Sequence, residues 1–217
     1  MSELKSREEQ QKSLLQSEQE GKQIMVKSLN KKENQLKKEL GEKQRIAEKI
    51  ESELKRVIEE ERRRVIRSDN TTEQKLVGEN FSENKGRLPW PVEKGIITSH
   101  FGIQKNPVLK YVEENNIDIE ITSSGKVNAR TVFQGVVARV FPIQGANMTV
   151  MIRHGNYFSI YTNIINVKVK PGEKVGIKQD IGDVYSDPAA SNNCVFKFMI
   201  FEEERKYLDP ESWISKN

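Results

Sequence analysis

Residues 151–163 read MIRHGNYFSIYTN. Two runs rich in β-branched and aromatic residues flank His154-Gly155-Asn156, and glycine and asparagine accept the backbone conformations of a tight turn. The stretch predicts a β-hairpin. Outward from it, short runs of the same kind recur, punctuated by glycine: Gly95–Phe101, Ile117–Ile121, Thr131–Phe141, Asn147–Arg153, Tyr157–Ile164, Lys174–Tyr185 and Cys194–Phe201. Lys170-Pro171-Gly172-Glu173 marks another turn. Residues 88–217 are therefore expected to form an all-β, mostly antiparallel domain.

Further upstream the chain changes character. Residues 1–67 contain no proline and no aromatic residue, and only two glycines, Gly21 and Gly41, whereas all seven prolines and both tryptophans lie beyond residue 85. Leu36, Ile50 and Val57 fall on one rung of a heptad ladder and Leu40, Ala47 and Leu54 on the other, with Lys43 as an interruption and Leu15, Met25 and Leu29 continuing it loosely. Good helix formers fill the other positions. Residues 1–67 thus read as a coiled-coil helix, a rod of roughly 95 Å at 1.5 Å per residue. A single apolar stripe asks for a partner helix, either a second chain or an upstream segment.

Residues 68–87 lose the heptad pattern and read as a hinge or linker. Thr71 or Thr72 is placed to cap a short helix carrying Leu76, Val77 and Phe81, which would dock on the domain that follows.

Composition narrows the function. The formal charge of +4 is mild, and basic residues alternate with glutamates along the helix, so no nucleic-acid partner is expected. Cys194 stands alone, which excludes an internal disulfide without deciding the compartment. No run reaches the roughly eighteen apolar residues of a membrane span, and the first residues open into a charged helix with no apolar signal region.

Six stretches, in order, carry a resemblance: LPWPVEKGIITSHFG (88–102), NNIDI (115–119), Gly135-Val136-Val137, MIRHGNYFSIYTN (151–163), VKPGEKV (169–175) and DPESWI (209–214). They resemble LytM/lysostaphin-type metallopeptidase domains. With the preceding helix the chain looks like the C-terminal part of an EnvC-type murein hydrolase activator, in a Bacteroidetes-like version.

Active members of that peptidase family hold zinc with a His-x-x-x-Asp pair and the second histidine of a His-x-His strand, and use further histidines for proton transfer. Against that pattern Asp118 is kept, but Glu114 stands four residues before it. The strand motif is matched by Val195-Phe196-Lys197-Phe198, and Asn163 stands where the hairpin histidine is expected. Catalytic zinc needs three protein donors and an open position for water, and a lysine ammonium has no lone pair to give. The resemblance therefore implies a degenerate domain, with no cofactor and no enzymatic activity. His154 reads as a structural turn residue and His100 as packing or surface.

Residues two apart on a strand share a face, so Val195 and Lys197 should line the former active-site groove while Phe196 and Phe198 enter the core. Lys197 is expected to stand in for the metal ion by pairing with Asp118 and Glu114; the open alternative is three weakly coupled surface charges. The groove candidates are Glu114, Asp118, Tyr157, Tyr161, Asn163, Val195 and Lys197. By resemblance the groove engages a peptidoglycan amidase and activates it, while the coiled coil connects to an FtsE–FtsX-type transporter complex. A periplasmic location and a chain truncated at its N-terminus are expected on the same ground, with a cytoplasmic protein as the alternative. The rival functions are a structural cell-wall-binding scaffold and a surviving zinc endopeptidase.

Overall fold

The computed structural model describes residues 2–67, 72–105, 113–143, 145–188, 193–203 and 206–216. Thr71 lies outside them, as does the side chain of Glu114. The chain divides into two compact units, Met1–Lys49 and Ile50–Asn217.

Helix α1 runs Ser2–Arg67. Ion pairs one turn apart support it, among them Glu33 with Lys37 at 2.7 Å and Glu51 with Lys55 at 2.6 Å, each contributing a few tenths of a kcal/mol. In the first unit the apolar stripe faces solvent: Leu15, Val26, Leu29 and Leu36 are all exposed. In the second unit the same ladder is buried. Ile50, Leu54, Val57 and Ile58 pack with Ala138, Met151, Phe158, Ile160, Met199 and Phe201. Sequence divides the chain after residue 67, whereas packing divides it after Lys49. The physical reason is that Leu54 and Val57 fit a sheet face as well as they fit a second helix.

Helix α2 (Thr72–Glu83) occupies the segment read as a linker. Its Phe81 is fully buried and stacks on His154 at 4.7 Å, Trp213 at 5.1 Å and Tyr157 at 5.2 Å, with the Phe133 ring edge-on at 5.6 Å. Burying such a ring is worth about 3 kcal/mol, enough to hold a short helix in which Leu76 is exposed and Val77 half-buried. Gly78 permits the close approach: a Cβ there would meet the Asn156 amide nitrogen at 3.3 Å.

The strands are β1 (Ile96–Ser99), β2 (Gly102–Lys105), β3 (Glu113–Asn116), β4 (Ile119–Ser124), β5 (Asn128–Arg130), β6 (Gly135–Pro142), β7 (Met148–His154), β8 (Tyr157–Ile165), β9 (Lys174–Val175), β10 (Asp180–Val184), β11 (Ser186–Asp187), β12 (Asn193–Glu202) and β13 (Lys206–Leu208). The main sheet has the order β1-β4-β12-β8-β7-β6-β9, with β10 pairing β5 and β8, and β11 and β13 pairing β12. Every strand pairing in it is antiparallel, and β2 and β3 form a separate ribbon. The hairpin expected at residues 151–163 is β7–β8, with His154 opposite Tyr157.

Strand β12 shows how the two faces are used. Cys194, Phe196, Phe198 and Ile200 enter the main core with Ile119, Ile121, Val150, Ile152 and Tyr161. Met199 and Phe201 point the other way and meet the end of α1. Val195 and Lys197 share that second face, beyond the part that α1 covers.

Candidate functional site

The site is built on β4, β12 and β8. The β4–β12 ladder pairs Lys197 with Glu120 and Val195 with Thr122, and the β12–β8 ladder pairs Lys197 with Thr162. Directly opposed residues project to one face, so Glu120, Lys197 and Thr162 form one row. Ile96, Thr122 and Val195 form the next, because β1 pairs Ile96 with Thr122. Ile96 and Val195 are both exposed.

The Lys197 ammonium lies 2.8 Å from Glu120 Oε1 and 3.7 Å from Asp118 Oδ2. Burial lowers the proton affinity of Lys197, but the carboxylates of Asp118 and Glu120 outweigh it and the pKa is raised, so the amine stays charged. Burial raises the pKa of Asp118, and Lys197 opposes that shift only in part. The short contact is thus Glu120, which the sequence reading missed. Its position opposite Lys197 on a neighbouring strand depends on register, which sequence spacing does not carry. The backbone of Glu114 lies in β3, opposite Gln104, and the pairing expected for its side chain lies outside the described residues.

Asn163 enters the same face by an irregularity. The β7–β8 register passes from Met148 opposite Ile164 to Thr149 opposite Thr162, which leaves Asn163 as the extra residue of a bulge, with φ 73°. Asparagine is among the few residues that tolerate that conformation. Its side-chain oxygen accepts from Asn147 Nδ2 at 2.6 Å and its amide donates to the Val195 carbonyl at 2.6 Å. The residue at the expected proton-transfer position is a clamp joining the β7 loop, β8 and β12.

Two groove candidates are corrected. Tyr161 is fully buried in the main core, where its hydroxyl accepts from the Val132 amide at 3.0 Å. Tyr157 packs with Phe81 and Trp213 on the same side as that core. The resemblance grouped Tyr157, Tyr161 and Asn163; the bulge separates the tyrosines from the asparagine.

The histidines lie elsewhere. His154 is fully buried. Its Nδ1–H donates to the Gln134 carbonyl at 2.7 Å, so Nε2 must accept from the Ser159 hydroxyl, also at 2.7 Å. Burial pushes its pKa down to about 4. His100, on the surface, meets Glu211 at 2.8 Å.

Zinc, the metal that the family resemblance brings to mind, does not fit these residues. Val195 offers no donor, and a charged Lys197 both lacks a lone pair and repels a cation. Among the described residues no three His, Cys, Asp or Glu side chains converge to hold a metal ion.

Known proteins were compared with this frame. Residues 113–210 match the model of Peptidase family M23. No curated protein matches the chain. Among solved structures, Csd3 from Helicobacter pylori is 21% identical with a TM-score of 0.50, over 61% of this chain and 36% of that one. A zinc-containing peptidase from Vibrio cholerae is 20% identical with a TM-score of 0.49, over 61% and 41%. The catalytic domain of the prophage-encoded M23 protein EnpA from Enterococcus faecalis is 20% identical with a TM-score of 0.45, over 57% and 95%. The chain thus spans only about a third of the length of Csd3. Residues 113–210 are thus similar to peptidase M23, LytM-type domains, and the structural likeness to Csd3 is one of fold.

Proposed function

We propose that this chain is a non-catalytic LytM-type protein whose groove docks a peptidoglycan amidase and activates it during cell-wall remodelling and daughter-cell separation. The observation that carries the reading is Lys197. A charged amine stands between Asp118 and Glu120, on the strand that by resemblance corresponds to the zinc-binding motif. A site with that cation does not make a zinc hydroxide, yet its exposed side chains are available to a partner. Ile96 and Val195 supply an apolar contact beside the charged row.

In this reading the exposed stripe of α1, through Leu15, Leu29 and Leu36, takes a helical partner, and an FtsE–FtsX-type complex is the proposed membrane connection. The protein would act in the periplasm. No described helix is long and apolar enough to cross a membrane.

The test adds the purified chain to the amidase of its own organism and follows release of dye-labelled peptidoglycan. Activation predicts a rate at least tenfold above that of the amidase alone, with no release by the chain alone. An unchanged rate removes the activator reading and leaves a scaffold. Release by the chain alone, abolished by a chelator, would restore the endopeptidase.

A further inference from the structure

The carboxylates of Asp118 and Glu120 converge on one point, and that point is occupied by the ammonium of Lys197. The three side chains are mostly shielded: 14% of Asp118, 32% of Glu120 and 29% of Lys197 is exposed. Asp118 lies in the bend before β4, beside Ile117, which packs against the cluster under α1. Lys197 comes from β12 and is delivered by the ladder that sets it opposite Glu120. Carboxylates brought together in a partly dry place need a counter-charge, and removal of one partner of such a cluster leaves the others uncompensated.

We infer that Lys197 is a built-in cation that neutralises Asp118 and Glu120 and ties the Ile117–Asp118 bend to β12, so that the groove holds its shape without a bound metal ion. The inference stands whichever partner the groove takes, and amidase activation plays no part in its test. It also explains why the ammonium is drawn toward both acids: a lysine serving only as packing would be better placed with its amine in water.

The experiment is thermal unfolding of the full chain in chelator and in millimolar manganous ion. Wild type is expected to show the same Tm in both. Lys197→Ala should lose about 5 °C, and manganese should return most of that loss by taking the place of the ammonium between the carboxylates. Adding Asp118→Asn to Lys197→Ala should abolish the manganese response. Lys197→Arg, which keeps the charge, should stay close to wild type and ignore manganese. A Lys197→Ala chain that folds only with manganese is the same result in stronger form. The inference is overturned by a wild-type Tm in Lys197→Ala, by a loss that manganese does not reverse, or by a manganese response equally large in wild type.

Discussion

Lys197 and Glu120 face each other across the β4–β12 ladder, and the ammonium of one lies 2.8 Å from the carboxylate of the other. Asp118 completes the cluster at 3.7 Å. The two acids are not equivalent: Asp118 is the more shielded, and burial raises its pKa.

That inequality gives a prediction for the acids. Glu120→Gln should cost about 0.5–1 kcal/mol, because the pair is partly exposed and screened. Asp118→Asn should cost less, since the charge it removes is one that burial disfavours. Urea unfolding of both variants decides it, and a larger loss from Asp118→Asn contradicts the assignment of Glu120 as the principal partner.

Partner docking predicts a separate pattern. Val195→Asp and Ile96→Asp alter exposed side chains on one face, so each should leave stability within about 0.5 kcal/mol. Each should lower amidase affinity at least tenfold in a direct binding measurement. Unchanged affinity in both variants would move the docking surface elsewhere.

The bulge can be probed through its backbone. Asn163→Ala loses two side-chain hydrogen bonds and keeps a φ of 73° that alanine disfavours, which should cost about 2 kcal/mol. Asn163→Gly loses the same bonds but accepts the conformation. Glycine should therefore be the more stable of the two by about 1 kcal/mol in the same denaturant series.

His154 makes stability depend on acid. Its pKa falls from 6.5 to about 4 in the folded chain, so the contribution of the neutral ring is complete above 6.5 and is lost as pH falls through 4. The loss amounts to roughly 3 kcal/mol at full protonation. Urea midpoints measured from neutral pH to pH 4 should decline, and His154→Gln should flatten the decline. An equal slope in the variant would assign the acid response to other groups.

The division of α1 is also measurable. Leu54 is fully buried against the sheet and Leu29 is exposed. Leu54→Ala should cost about 2–5 kcal/mol, whereas Leu29→Ala in dilute solution should stay within about 0.5 kcal/mol. Equal losses that grow with protein concentration would show that the upstream stripe is paired in solution.

Much of this molecule is legible one residue at a time. The absence of proline before residue 68 and the heptad ladder announce the long helix. Alternation along residues 194–201 sends Phe196 and Phe198 inward and Lys197 outward, as β12 does. Phe81 marks the anchor of the short helix, and Val195 and Lys197 bear on zinc through their chemistry alone.

Other features depend on which strands meet, and spacing along the chain cannot supply that. Glu120 joins Lys197 because β4 pairs with β12 in one register, and a slip of one residue would have turned it away. Tyr161 and Asn163 share a period, yet the bulge sends one into the core and the other to the face that carries Lys197. Leu54 and Leu29 sit on the same ladder, and only the position of the sheet decides that the first is buried. Sequence by itself determined the elements and the chemistry of Val195 and Lys197, because these follow from local composition and period. Tertiary structure decided the partners of the Lys197 ammonium and which residues share its face, because those are set by the pairing of segments distant in the chain.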